Sequence, residues 1–151
     1  MEEAFALAEE AGAEGEIPIG AVVVDREGNV IGRGRNRRES GDPLGHAEIF
    51  AIAEAARAIG GWRLEGTTMV VTLEPCAMCA GALVNARVEK LIFAAYDPKA
   101  GFCGSLGNLV QDPRLNHRLE VSGGFEAERS RDLLQQFFRG LRTRTERWQS
   151  G

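Results

Sequence analysis

Long apolar stretches are missing from this sequence of 151 residues. No apolar run approaches the roughly 18 residues that a bilayer-spanning helix needs, so we expect no membrane partner. The first residues, Met1-Glu2-Glu3, are acidic where a secretory signal is basic, and this favours a cytoplasmic protein. Internal repeats, linkers and low-complexity segments are missing too. The length therefore suits a single domain over residues 1–151.

Cysteine is scarce, and three cysteines do not make a disulfide framework. Two of them, Cys76 and Cys79, have the C-x-x-C spacing, which in a reducing compartment indicates a metal site or a redox pair. The third, Cys103, is interpreted as a small buried residue of a glycine-containing segment. That segment, residues 97–111, lacks the G-x-x-x-x-G-K-[ST] pattern of a phosphate-binding loop.

Lysine is scarce: the sequence has only Lys90 and Lys99, compared with 16 arginines. The net charge of −4 argues mildly against a nucleic-acid partner. Between Arg129 and Arg147, however, six arginines and two acidic residues give a local net charge of +4. Arginine suits bidentate contacts to phosphate, but biased codon usage that favours arginine over lysine would leave the same composition. Charge alone leaves RNA binding open.

Sequence patterns predict helices and strands in alternation. The first helix, residues 2–14, has Ala4, Leu7, Ala8 and Ala11 on one face. Glu27-Gly28-Asn29 predicts a hairpin turn between the first two strands. Further helices are predicted at 46–59, 76–87 and about 125–147, and strands at 19–24, 30–32, 68–73, 90–95 and near 119–121. Helices between buried strands predict an α/β layered domain whose sheet is partly parallel.

One constellation carries chemistry: His46-Ala47-Glu48 followed by Pro75-Cys76-Ala77-Met78-Cys79. One histidine and two cysteines are the ligands expected for a catalytic zinc that keeps its fourth position open to water. Cys76 and Cys79, three residues apart, lie on one face of a first helical turn, where the helix dipole favours thiolates. Pro75 suits the entry to that helix.

Glu48 lies two residues after His46, close enough to reach a metal-bound water but poorly placed to be a ligand. A carboxylate in that position can take a proton from the water and deliver it elsewhere. The alternative from another class is a structural-zinc interaction module, which would need a fourth protein ligand. Cys103, His117 or a carboxylate are the candidates for it, and none has a paired spacing.

The H-x-E and P-C-x-x-C motifs resemble those of zinc nucleobase deaminases. Within that superfamily of cytidine and deoxycytidylate deaminases, nearly the whole chain is similar to bacterial tRNA-specific adenosine deaminases. The resemblance rests on residues 17–23, 36–37, 46–49, 72–82, 104–106, 116–118 and 137–139. It implies a three-layer α/β/α sandwich around a mixed five-stranded sheet. It also implies conversion of adenosine to inosine at the wobble position of a tRNA anticodon, by a homodimer with one zinc ion per subunit.

The resemblance assigns roles to individual residues. His46, Cys76 and Cys79 would be the zinc ligands, and Glu48 the proton shuttle. Asn36 would hydrogen-bond the extruded base, while the backbone of Ala47, Leu73 and Glu74 would line its reacting edge. The RNA path would follow Asp97, Lys99, Asn116, Arg118, Phe138 and Arg139 along the anticodon stem-loop. A turn-capping role for Asp97 before Pro98 is the alternative for that residue.

A rival within the same fold is a deaminase of free nucleobases, for example of guanine. Such an enzyme keeps the zinc motif but has no use for a basic C-terminal helix. The sequence favours the tRNA branch because Asn116-His117-Arg118 and Phe137-Phe138-Arg139 match it.

Overall fold

The computed structural model describes residues 1–150. Four helices and five strands follow the predicted order, with boundaries within a few residues of those expected. The helices are α1 (Glu2–Ala13), α2 (Ala47–Ile59), α3 (Ala77–Asn85) and α4 (Ala127–Gln149), and the strands are β1 (Gly20–Val24), β2 (Val30–Arg35), β3 (Thr68–Leu73), β4 (Lys90–Ala95) and β5 (Glu120–Gly123).

The five strands form one mixed sheet in the order β2-β1-β3-β4-β5. β1 pairs antiparallel with both β2 and β3, whereas β3, β4 and β5 run parallel. The α3 helix connects β3 to β4, as a parallel pair requires a crossover. A long irregular segment with one short 3-10 turn at Leu109–Gln111 connects β4 to β5. The predicted mixed five-stranded sheet is confirmed.

Helices cover both faces of the sheet. On one face α1 and α4 contact each other and the central strands, and on the other α2 packs on β1 and β2 and contacts α3. The core between the sheet and helices α2 and α3 contains alternate strand residues. Among them are Met69, Val71, Leu91 and Phe93, all fully or almost fully buried. The three-layer α/β/α arrangement predicted from the resemblance is confirmed.

The second strand is longer than predicted, because it continues through Gly32-Arg33-Gly34-Arg35. Gly32 and Gly34 face α2 so closely that a Cβ on either would lie 2.2 or 2.0 Å from a helix carbonyl oxygen. Glycine is therefore needed for contact with the helix and does not mark the end of the strand here.

The carboxyl ends of β3 and β4 lie side by side at one end of the sheet. Leu73 and Ala95 are register partners there, and the chain continues from them into Glu74 and Tyr96. Residues that follow adjacent parallel strands meet at this carboxyl-terminal end of the sheet, where α/β proteins place their ligand sites. None of the described helices is both long and apolar enough to cross a membrane.

Candidate metal centre and active-site pocket

The amino termini of two helices meet at the carboxyl-terminal end of the parallel strands. His46 is the N-cap of α2 and Cys76 is the N-cap of α3, and both have extended backbone dihedral angles. Cys79 lies in the first turn of α3, and Glu48 lies in the first turn of α2. The local sequence predicts these starts correctly, because a loop precedes His46 and Pro75 precedes Cys76.

His46, Cys76 and Cys79 converge, with their ligand atoms all within 4.8 Å of one another. The Nδ1 atom of His46 lies 3.5 Å from the Sγ atom of each cysteine. Tetrahedral zinc with Zn–S of about 2.3 Å and Zn–N of about 2.0–2.1 Å separates such atoms by about 3.5 Å. In residues 1–150 no fourth ligand atom joins this group. The donor set fits a zinc ion with one position left for a small molecule.

The three side chains compete for protons. A hydrogen bond from Cys79, partly opposed by burial, lowers the pKa of Cys76 to about 4. The hydrogen bond to Cys76 raises the pKa of His46, and the same thiol pair together with burial raises the pKa of Cys79. Thiolate and neutral imidazole are the forms that bind a metal, so a divalent cation would replace these protons.

Glu48 lies beside the three converging side chains, at the base of the pocket, and is only 4% exposed. Burial raises the pKa of its carboxyl group, since the charged form is poorly solvated there. It does not belong to the group of converging ligand atoms. Its position agrees with the prediction of a carboxylate next to the metal centre.

A cavity of 530 Å³ opens above these residues. Ligand pockets of proteins are typically about 300–1,000 Å³. Among the residues with predicted site roles, those that line it are Asn36, His46, Ala47, Glu48, Leu73, Glu74, Cys76, Asp97, Lys99 and Phe138. Cys79 lies behind them and is fully buried.

Asn36 is a polar side chain at the pocket wall with only 4% exposure. Its Nδ2 donates to the carbonyl of Ile17 at 3.4 Å, and its Oδ1 accepts from the amide of Arg38 at 3.4 Å. Both bonds are long. Because a carboxamide has two donors and two acceptor sites, Asn36 keeps hydrogen-bonding capacity toward the cavity.

Glu74 has side-chain contacts in addition to the role that the resemblance assigns to it. The resemblance places its backbone at the reacting edge of the base, and its amide donates to the carbonyl of Ala95 inside the sheet extension. Its side chain turns away to accept hydrogen bonds from Asp97, Cys103 and Ser105. Burial opposes ionisation of Glu74, but these hydrogen bonds outweigh it and hold the pKa of its carboxyl group below the usual value.

Asp97 caps a turn, as the alternative interpretation predicts. Its Oδ1 accepts from the amides of Lys99 and Ala100 at 3.0 and 3.2 Å. The residue also lines the pocket. The two interpretations are therefore compatible, because Oδ1 makes the turn, whereas Oδ2 accepts no hydrogen bond within residues 1–150.

A second depression of 950 Å³ adjoins the pocket along α4 and shares Lys99 and Phe138 with it. Arg139 and Arg142 line this depression, which we call the α4 groove. The structure thus brings four of the six residues predicted for the RNA path, Asp97, Lys99, Phe138 and Arg139, to one continuous surface.

The other two predicted RNA residues, Asn116 and Arg118, lie elsewhere in the same chain. His117, between them, bonds the carbonyl of Val88 through Nε2 at 2.7 Å. Val88 precedes β4, so this segment lies toward the amino ends of the parallel strands, opposite the pocket. Arg118 donates to the carbonyl of Pro113. Their sequence match alone could not show this position.

Arg129 is also not part of the basic surface along α4. It pairs with Glu2 and Glu126, and its guanidinium lies 4.2 Å from the ring centre of Phe5. These contacts fasten α4 to α1. The positive charge available to a ligand therefore comes from the arginines farther along α4.

Several pocket residues carried no predicted role: Ile17, Ile19, Arg38, Tyr96, Arg131, Leu134 and Gln135. The last three lie on α4, where Leu134 and Phe138 are four residues apart and so share a face. That spacing was a usable signal, but nothing local indicates which cavity the face covers. Tyr96 directly follows the carboxyl end of β4, a position at which α/β proteins place ligand sites, and it is 51% exposed.

The sequence and the fold both match known deaminases. Residues 1–95 match the family model described as cytidine and deoxycytidylate deaminase zinc-binding region. The chain is similar to the tRNA-specific adenosine deaminase of Bacillus subtilis strain 168, with 51% identity over 94% of this chain and 88% of that protein. A second such enzyme, from Haemophilus influenzae, is 46% identical over 94% of this chain and 83% of its own length.

Solved structures agree. One, from a study of A-to-I editing by tRNA:A34 deaminases at the wobble position of transfer RNA, has a TM-score of 0.84 and 43% identity, covering 89% of this chain and 97% of the other. A guanine deaminase from Nitrosomonas europaea has a TM-score of 0.78 but 24% identity, covering 90% and 81%, and shows only that the fold is shared. The chain therefore belongs to the cytidine and deoxycytidylate deaminase family, and within it to the tRNA-specific adenosine deaminases.

Proposed function

We propose that this protein deaminates adenosine to inosine at the wobble position of a tRNA anticodon. The observation that carries the proposal is the continuity of the metal-centre pocket with the basic α4 groove, because Lys99 and Phe138 line both. A pocket receives one base, and a groove with arginines receives the adjoining phosphates. A tRNA substrate also assigns the activity to the cytoplasm.

His46, Cys76 and Cys79 would hold one zinc ion per subunit. Their spacing and their 3.5 Å contacts support this assignment. Zinc, when bound, supplies a water activated for attack on C6 of adenine. The three side chains would contribute two thiolates and a neutral imidazole to a bound zinc ion, the donor set of a catalytic zinc with three protein ligands.

Glu48 would move the protons. Its carboxylate takes one proton at the base of the pocket and delivers it to N1 of adenine. It then takes a second proton, from the hydroxyl group added at C6, and delivers it to the amino group, which departs as ammonia. Burial raises its pKa toward the pH range in which it can both accept and donate.

The remaining pocket residues would orient the base. Adenine must be extruded from its stack to reach the metal centre. Asn36 would hydrogen-bond it, and the backbone of Ala47, Leu73 and Glu74 would line its reacting edge. Asp97, Lys99, Phe138 and Arg139 would contact the adjoining nucleotides, with Phe138, 41% exposed, offering a ring on which a base can stack.

A homodimer would account for Asn116 and Arg118, which lie at the opposite end of the sheet from the pocket. In a dimer these residues could contact RNA bound at the partner's pocket. Exposed apolar side chains on the loops beside the metal centre, Leu44 at 58% and Leu106 at 56%, are consistent with a covered surface. Sedimentation velocity of the purified protein would decide this point.

The decisive experiment is incubation of purified zinc-loaded protein with total tRNA, followed by inosine detection at single-nucleotide resolution. Three substrates are tested in parallel. The first is an anticodon stem-loop with adenosine at the wobble position, the second is the same stem-loop with that adenosine moved by one nucleotide, and the third is free guanine. We expect inosine in the first stem-loop only. Ammonia release from free guanine without inosine in RNA would instead support the free-base deaminase.

A further inference from the structure

The Glu74 carboxylate is an unusual feature of the pocket wall. It is 2% exposed and accepts four hydrogen bonds, all from one segment. The donors are the amides of Asp97, Cys103 and Ser105 at 2.9, 3.0 and 3.0 Å and the hydroxyl of Ser105. Two oxygens that face four donors suit an ionised carboxylate, which is an acceptor only.

The segment that Glu74 holds, residues 97–105, is called the pocket loop here. Its first residues, Asp97 to Ala100, form part of the cavity wall, and Lys99 continues into the α4 groove. Gly101 lies against the carboxylate, and a Cβ there would be 2.3 Å from Glu74 Oε2. The loop has no regular secondary structure before Leu109, so this buried side chain replaces the missing backbone ladder.

A second tie joins the pocket loop to the metal centre. The amide of Phe102 donates to the carbonyl of Pro75 at 2.9 Å, and Gly101 forms a β-bridge with Cys76. Glu74 is two residues before Cys76. The same short segment therefore supplies a thiol to the metal centre and a carboxylate that fixes the loop.

We propose that Glu74 is a positioning residue whose side chain holds the pocket loop in the geometry that binds the nucleotides flanking the reacting adenosine. The inference rests on the proposed function, because the loop carries Asp97 and Lys99. The Glu74 carboxylate does not belong to the group of converging metal-ligand atoms, and its hydrogen bonds go to the pocket loop. Its removal should weaken RNA binding more than it slows the chemical step.

Glu74→Gln is the diagnostic variant because it keeps the size of the side chain. Oε2 faces the amides of Cys103 and Ser105, and Oε1 faces the amide of Asp97 and the Ser105 hydroxyl. In either orientation the new NH₂ group opposes at least one backbone N–H, and two donors cannot pair. One buried amide is left unsatisfied, which corresponds to about a tenfold or larger change in an equilibrium constant.

Variants on the loop side separate this effect from damage to the metal centre. Ser105→Ala removes one of the four donors from a residue 26 positions after Cys79. Asn108→Ala is the matched control, because Asn108 is exposed and, within residues 1–150, its side chain bonds only Gln111. Zinc content is measured for every variant, and all comparisons use protein with one zinc per chain.

Two readouts test the proposal. Hydrogen exchange of the peptide that covers the pocket loop reports on the anchor without any need for activity. Initial rates on the anticodon stem-loop give KM and kcat separately. We expect faster exchange and a KM about tenfold higher for Glu74→Gln, with kcat nearly unchanged, a smaller rise in KM for Ser105→Ala and none for Asn108→Ala.

A lower kcat with unchanged KM and unchanged exchange would overturn the proposal, since that pattern belongs to a residue that merely stabilises the active fold. Loss of zinc from Glu74→Gln together with normal loop exchange would also overturn it. A wild-type protein inactive on the stem-loop would refute the proposed function, and the exchange rates would then still decide whether Glu74 anchors the loop.

Discussion

Gly34 sets the distance between the sheet and the amino end of α2, and Gly34→Ala tests how closely the fold and the metal centre are coupled. A Cβ at this position would lie 2.0 Å from the carbonyl oxygen of Ala47 and 2.8 Å from the amide nitrogen of Ala51. Ala47 lies between His46 and Glu48. A movement of the amino end of α2 that relieves the clash therefore displaces both residues.

The size of the displacement follows from the contact. An ordinary contact begins near 3.4 Å, so strand and helix must separate locally by roughly 1.4 Å. Overpacking of a core costs about 1–3 kcal/mol, which lowers Tm by about 2–12 °C for a chain of this length. A misplacement of about 1 Å at a catalytic group lowers the rate by about 100-fold. The loss of activity should therefore exceed the loss of folded protein.

Gly32→Ala is the matched control. Its Cβ would meet the carbonyl oxygen of Ala51 at 2.2 Å, a clash of nearly equal size one turn farther along the same helix. Stability should fall by a similar amount in both variants. Only Gly34→Ala acts on the turn that carries His46 and Glu48.

The assays are thermal unfolding, zinc affinity by competition with a chelator, and kcat at saturating zinc and RNA. We expect similar Tm values for the two variants, but a zinc affinity at least about tenfold lower and a kcat about 100-fold lower for Gly34→Ala than for Gly32→Ala. Equal zinc affinity and equal kcat in the two variants would refute the reasoning, because the position of the clash along α2 would then have no effect.

Three further outcomes are expected. Glu48→Ala should keep zinc and the fold but lose turnover, and joint measurement of metal content and inosine would reveal a ligand role if zinc were lost as well. Arg139→Ala combined with Arg142→Ala should flatten the dependence of log K on log salt by about 0.7–0.9 per lost phosphate contact, whereas an unchanged slope would assign both residues to the solubility of α4. Asp97→Asn keeps the acceptor that makes the turn but removes the charge, so the ratio of kcat/KM for single-stranded DNA to that for RNA should rise, because the ribose 2′-OH is the donor that only RNA has. An unchanged ratio would leave Asp97 a turn residue.

The strands that the sequence predicts best are those formed by a continuous run of apolar residues. β3 and β4 begin and end at the predicted residues, because continuous apolar runs identify buried parallel strands. β2 extends beyond its predicted end because the alternation of glycine and arginine there reflects close contact with α2. The sequence pattern of residues 30–35 does not show that the helix beginning at Ala47 packs against this strand.

The candidate site divides in the same way. The convergence of His46, Cys76 and Cys79 is predictable from the sequence, because the three residues belong to two short motifs at helix starts. The part of the pocket wall that Leu134 and Gln135 form is not predictable in this way, since α4 contributes these residues from about 60 positions beyond Glu74. The anchoring role of the Glu74 side chain was missed for the same reason, because its partners follow 23 to 31 residues later.

The two helix ends at the metal centre show why the ligand types, and not their spacing alone, make the motif informative. His46 and Cys76 lie where backbone N–H groups have no partner within the helix and carry partial positive charge. A cation between two such ends is disfavoured unless the ligands are anionic. Two thiolates provide that charge, and the helix ends in turn stabilise them, in the same direction as the hydrogen bond that brings the pKa of Cys76 to about 4. Neutral side chains at the two cysteine positions would keep the geometry and leave two positive helix ends facing a divalent ion.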